Sequence, residues 1–123
     1  MISEFFAGTY INLQDAYVVE ANKLGTWMQV GYTGPGTSVG GSSTETGIFY
    51  YKESASAPQW NVSTRQKLNS CTVGDNKWQL TAKISGGEAE GQSNALYKVG
   101  GDATNCLALT PSFNGLVSGR STN

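Results

Sequence analysis

Residues 3–24 carry the pattern of an amphipathic helix, and this segment constrains the fold more than any other part of the sequence. Its apolar side chains recur at spacings of three and four residues, which is the period of one helical face. Lys23 in the last turn and Gly25 after it are typical of a helix end. The predicted packing face consists of Phe6, Tyr10, Leu13, Tyr17, Ala21 and Leu24.

A second group of apolar residues lies beside that stripe, at Phe5, Ile11, Val18 and Val19. Two interpretations of this group stay open. Either the helix buries one wide face on its own domain, or it has two faces, of which the second contacts a neighbouring subunit.

Beyond Gly25 the pattern changes to short strands separated by turns. Candidate strands cover 26–32, 48–52, 60–64, 78–85, 96–99 and 106–109. The glycine-rich stretch 33–47 is predicted to be a loop, and 114–123 a flexible tail. We therefore expect a single α+β domain over residues 1–123. Its N-terminal helix is expected to pack on one face of an antiparallel sheet of about four to six short strands within 48–110.

Composition excludes several classes of function. The chain has 8 Lys+Arg against 9 Asp+Glu and a pI of about 5.3, so no basic surface for nucleic acid is expected. It contains no histidine, which removes the commonest general base and metal ligand. Charged residues are only 14% of the chain, and abundant Gly, Ser and Thr are typical of secreted or surface-displayed β-rich proteins. An enzyme of this composition would have to use carboxylates, Lys or Tyr as its catalytic groups.

The chain has two cysteines, Cys71 and Cys106, and no CxxC motif. Without further cysteines or any histidine, they cannot form a zinc site. A disulfide or two free thiols are the alternatives, and the surface-type composition favours the disulfide and an oxidising compartment.

Several segments together resemble type IV pilin-like proteins. They are AGTYINLQDAYVVEANKLGTWMQVGYTGPG at 7–36, NKWQLTAKISG at 76–86 and NCLALTPSF at 105–113. The resemblance extends over most of the chain. The family's basic leader, its Gly-Phe cleavage point and its long apolar stretch with a glutamate are missing from this sequence, and the resemblance implies that they lie upstream of Met1.

The resemblance implies a structural subunit of a bacterial type IV pilus or type II secretion pseudopilus. Such a subunit is anchored in the inner membrane by the upstream helix before assembly, and it is not an enzyme. Its partners are other pilin subunits, in a filament at the cell surface or in the periplasm. The alternative is an extracellular carbohydrate-binding or adhesion module, whose partner would be a polysaccharide.

Carboxylates supply the weak candidates for a metal site. Some proteins of the resembled family bind calcium in the region that corresponds to Glu88 and Glu90, and Asp75 or Asp102 could add oxygen ligands. The spacing matches no EF-hand, and a solvated turn explains the same residues. No cofactor is expected otherwise.

Aromatic residues divide between core and surface. Trp27 and Trp78 are predicted to anchor the core beneath the helix, and Trp60 is predicted to be exposed. Tyr50 and Tyr51 must point to opposite faces if they share a strand, so one of them is expected outside. Trp60 and Tyr51 form the candidate adhesion surface.

Overall fold

A computed structural model describes residues 2–40, 43–54, 59–68, 71–87, 92–102, 105–106 and 115. A long N-terminal helix precedes a six-stranded antiparallel sheet. The elements are α1 (Ile2–Ala21), α2 (Trp27–Val30), β1 (Thr37–Gly40), β2 (Ser43–Glu45), β3 (Phe49–Glu53), β4 (Trp60–Thr64), β5 (Gly74–Gly87) and β6 (Gln92–Gly101).

The sheet is a meander, because its spatial order β1-β2-β3-β4-β5-β6 is the chain order. The mixed helix and strand composition and the antiparallel sheet of up to six strands are confirmed. β4 lies in the middle of the sheet and is buried along its whole length. The β5–β6 hairpin has the longest register, from Trp78 opposite Gly101 to Gly87 opposite Gln92.

One face of the sheet, here called the inner face, is apolar and aromatic. Residues paired across β3, β4, β5 and β6 alternate in the usual period of two, so every second side chain points to this face. Helix α1 lies against this face, where it contacts β4, β5 and β6, and its Phe6 ring meets Tyr51 of β3. The buried inner-face residues are Phe49, Tyr51, Trp60, Val62, Trp78, Leu80, Ala82, Ala95 and Tyr97.

Helix α1 ends earlier than the predicted boundary at residue 24. Asn22 adopts a left-handed conformation with φ 58°, and its N–H donates to the carbonyl of Val18 at 2.9 Å. Asparagine tolerates this conformation better than most residues, so it ends the helix ahead of Gly25. Lys23 therefore follows the helix instead of lying in its last turn.

The predicted strand at 26–32 is wrong, because Trp27–Val30 is one helical turn. A capping box begins it: the Thr26 hydroxyl accepts from the backbone N–H of Gln29, and the side-chain amide oxygen of Gln29 accepts from the backbone N–H of Thr26. Gly31, with φ 82°, closes it in the left-handed conformation. The turn buries Trp27 and Val30 together, which an extended segment would not place on one side.

The loop predicted at 33–47 is wrong in part, since it contains β1 and β2. The glycine content concealed the hairpin, although some of these glycines are required by the folded structure. Gly36 has φ 90°, and a Cβ there would lie 2.0 Å from the carbonyl oxygen of Glu45. The strand predicted at 106–109 is not found at Cys106, which lies in a turn; residues 107–110 and, apart from Gly115, the predicted tail lie outside the described residues.

The predicted disulfide is confirmed. Cys71 and Cys106 are bonded with a Cα–Cα distance of 4.8 Å, and both are fully buried in the core. The bond joins the segment before β5 to the segment after β6, so it fixes the two ends of the longest hairpin. It closes a loop of 35 residues in sequence.

We expect the Cys71→Ala/Cys106→Ala double variant to lose about 4 kcal/mol of unfolding free energy, because the unfolded chain regains the entropy of an open loop. Alanine avoids placing unpaired hydroxyls in the core. Urea unfolding of the oxidised protein and of the variant measures the difference. A loss below about 1 kcal/mol would contradict the assigned role of the disulfide.

Candidate functional site

The buried stripe of α1 is rotated relative to the predicted packing face. Tyr10 is buried as predicted, and Phe6, Leu13, Tyr17 and Leu24 are half-buried beside the core. Ala21 is half-buried as well. The centre of the stripe consists of Ala7, Tyr10, Ile11, Gln14 and Val18, all nearly inaccessible to solvent.

The burial within the second apolar group favours the first of its two interpretations, a single wide face of α1 buried on its own domain. Ile11 and Val18 belong to the wide buried face, whereas Val19 is 49% exposed. The side chain of Phe5 lies outside the described residues.

Aromatic rings form a continuous edge-to-face cluster beneath α1. Phe6 of the helix meets Tyr51 of β3 with ring centroids 5.9 Å apart, and Tyr51 meets Trp60 at 6.3 Å. Tyr32 contacts both Tyr10 and Trp27. Edge-to-face pairs of this kind contribute about 0.5–1.5 kcal/mol each beyond the burial of area, so the cluster fixes how the helix lies on the sheet.

Gln14 joins α1 to the segment that follows it. Its amide nitrogen donates to the carbonyl of Gly25 at 3.0 Å, and its amide oxygen accepts from the N–H of Gly25 at 2.8 Å. The same nitrogen donates to the Tyr10 hydroxyl. A Cβ at Gly25 would come within 2.8 Å of the Tyr17 ring and of Val30, so only glycine allows this approach.

A second set of polar contacts joins α1 to β6, the last strand of the sheet. The hydroxyl of Tyr97 on β6 donates to the Asp15 carboxylate at 2.7 Å and lies 3.2 Å from the carbonyl oxygen of Ile11. These bonds connect residues more than 80 positions apart in the chain. The helix is thus fixed at both β3 and β6.

The opposite side of α1 is an exposed and nearly neutral surface, here called the outer stripe. It consists of Asn12, Ala16, Val19 and Glu20, which recur with helical spacing. Surface helices normally place several charged residues on the face away from the core. Between positions 8 and 19 no exposed residue of α1 is charged.

The sheet face away from α1 has a different character. Lys52, Lys83 and Lys98 lie on it, and Lys83 and Lys98 are exposed. Lys52 lies over the Tyr50 ring and 3.5 Å from Asp75. The lysines of these strands thus face away from α1, whereas Glu53 of β3 lies on the inner face, where its carboxylate accepts from the N–H of Trp27.

The candidate adhesion surface is wrong. Trp60 and Tyr51 are both 0% exposed, because β4 is central and both side chains point to the inner face. Trp27 and Trp78 are buried as predicted, although Trp27 is on a helix. Tyr50 and Tyr51 do point to opposite faces, and Tyr50 is the half-buried one outside.

The weak calcium candidates do not assemble among the described residues. Asp75 pairs with Lys52, and Asp102 lies 3.9 Å from Lys77 and caps the N–H of Asn105. Glu88 and Glu90 lie outside the described residues. No group of three or more potential ligands occurs within the described part of the chain.

Sequence reasoning missed Gln14 altogether, because a polar residue on a helix is normally assigned to the solvent side. A usable signal was its position, which continues the helical stripe of Ala7, Tyr10 and Val18 at spacings of three and four. None of the helices in the described part is long and apolar enough to cross a membrane.

Comparison with protein-family models, with curated proteins and with solved structures finds no match to this chain.

Two buried tyrosines make the core sensitive to high pH. Burial raises the pKa of Tyr10 to about 12, opposed by its hydrogen bond with Gln14 and assisted by the negative charge of Glu53. Burial likewise raises the pKa of Tyr32 well above its ordinary value, opposed by the hydrogen bond from the Trp60 indole and assisted by Tyr51 and Tyr10. In the folded protein both hydroxyls therefore hold their protons more tightly than in the unfolded chain.

We expect the unfolding free energy to fall as pH rises from the ordinary tyrosine pKa of 10.0 toward about 12. The unfolded chain loses these protons first, so each tyrosine lowers stability by at most about 1.4 kcal/mol per pH unit in that window. Below the ordinary pKa the full stability is present. Urea unfolding over this range measures the slope, and Tyr10→Phe should reduce it. An unchanged stability through the window would show that the hydroxyls reach solvent.

We expect Gln14→Leu to lower the unfolding free energy by about 2–4 kcal/mol, because it leaves the buried N–H and C=O of Gly25 without partners. The matched control is Asn12→Gln on the outer stripe, which should change stability by less than about 0.5 kcal/mol. Thermal or urea unfolding gives both values. Equal effects of the two substitutions would contradict the role assigned to Gln14.

Proposed function

We propose that this domain is the exposed part of a bacterial type IV pilus or type II secretion pseudopilus subunit. Helix α1 continues N-terminally, in the complete protein, into an apolar segment that anchors the subunit in the inner membrane before assembly. The partners are other copies of the chain or related subunits. The subunit builds a filament and catalyses no reaction.

The contrast between the two sides of the domain is the observation that carries this proposal. The outer stripe of α1 is exposed and carries a single charged side chain, Glu20 at its C-terminal end, whereas the far face of the sheet carries the exposed lysines Lys83 and Lys98. A filament whose centre consists of packed helices needs this polarity. Neutral side chains such as Ala16 allow helices to approach closely, and the lysines remain in solvent.

Two further features agree with this function. Burial of one side of α1 on the sheet supports the proposal, because a pilin subunit needs one helix to serve both the domain and the filament. The buried disulfide of Cys71 and Cys106 suits an oxidising location outside the cytoplasm. It would also hold the end of the sheet together in a subunit that bears mechanical load.

Thiol accessibility in assembled material tests the proposal. Ala16→Cys and Asn12→Cys place thiols on the outer stripe, and Lys83→Cys and Lys98→Cys place matched thiols on the far face of the sheet. The variants are expressed from the complete gene, and surface filaments are sheared from the cells. We expect a soluble maleimide to label the sheet positions in intact filaments, and the helix positions only after the filaments are dissociated.

Two results would contradict the proposal. Equal labelling of both sets in intact polymer would show that the outer stripe is not an inner contact surface. Absence of the protein from any sheared or periplasmic polymer would show that it does not build a filament. The reading frame of the complete gene should encode about 20 consecutive apolar residues ahead of α1.

A further inference from the structure

The sulfur atoms of the described residues differ sharply in accessibility. Cys71 and Cys106 are bonded to each other and fully buried. Met28 is 80% exposed. Within the described part of the chain, Met28 therefore carries the sulfur that a dissolved oxidant can reach.

The local fold holds Met28 in this position. The Thr26–Gln29 capping box and the left-handed Gly31 close α2 at its two ends. Trp27 is fixed inside by bonds from its indole N–H to the Gln59 carbonyl and from its backbone N–H to the Glu53 carboxylate. A single turn that points Trp27 inward directs the next residue into solvent.

We propose that Met28 is a site of reversible oxidation by peroxide-type two-electron oxidants. The thioether sulfur attacks one peroxide oxygen, the O–O bond breaks and an S–O bond forms. The proton on the new S–O group passes to the released hydroxide, so the products are methionine sulfoxide and one water molecule. Sulfur loses two electrons, and the peroxide gains them.

Burial makes this oxidation selective and harmless to the fold. The indoles of Trp27, Trp60 and Trp78 are the other easily oxidised side chains described, and all three are inaccessible. Sulfoxidation disrupts proteins where the methionine is part of a core. The added oxygen of Met28 enters solvent instead, where a methionine sulfoxide reductase can also reach it. The site consumes oxidant while the fold persists, and this inference does not depend on the filament proposal.

The experiment uses the oxidised-disulfide protein treated with hydrogen peroxide beside a short peptide that carries the 26–31 sequence. We expect Met28 to gain one oxygen at a rate within severalfold of the peptide, with near-ultraviolet circular dichroism and thermal midpoint unchanged. Peptide mapping separates Met28 from Met1. Methionine sulfoxide reductases should return the original mass. Met28→Leu is the control, and its 26–31 fragment should gain no oxygen.

Three results would overturn the inference. Met28 could stay unmodified at a dose that fully oxidises the peptide. Tryptophan products could form before the sulfoxide, or the fold could be lost as the sulfoxide forms. The first would show that the sulfur is shielded, the second that selectivity is absent, and the third that Met28 supports the core.

Discussion

The contact between α1 and the inner face of the sheet determines which surfaces of the helix and the sheet are buried and which are exposed. Tyr10, Ile11 and Val18 are buried where the helix meets the aromatic face, and the bidentate bond of Gln14 to Gly25 fixes the chain that leaves the helix. Because a helix can bury only one side on a sheet, this contact also decides which side stays exposed. The exposure of the outer stripe is therefore a consequence of the same packing.

Two kinds of interaction stabilise the contact between α1 and the sheet. Edge-to-face rings fill the volume between helix and sheet, and within the core the Trp60 indole donates to the Tyr32 hydroxyl. The polar contacts of Gln14 and of Tyr97 with Asp15 select one register of the helix, since each has a single correct partner. The disulfide joins the segment before β5 to the segment after β6, so it fixes the open end of the β5–β6 hairpin.

The helix and the strands could be predicted because the spacing of apolar residues is a local signal. The disulfide could be predicted because the two cysteines cannot form a zinc site. It misplaced what depends on tertiary partners. Gln14 is buried only because Gly25 returns to meet it, and Trp60 is buried only because β4 is central in the sheet. The Thr26–Gln29 capping box was the one available signal against a strand at Trp27, since a short apolar run fits either element. The residues of the outer stripe recur with the helical period, but the sequence alone does not show which side of α1 packs on the sheet and which stays exposed.

The central claim of this account is that the outer stripe of α1 becomes covered when copies of the complete protein assemble. A helical reconstruction of the polymer by electron cryomicroscopy tests it most directly. The account predicts that Asn12 and Ala16 lie in contacts between subunits, near the filament axis, with Lys83 and Lys98 on the outside. A reconstruction in which the outer stripe faces solvent and the lysine-bearing face of the sheet forms the contacts would contradict it.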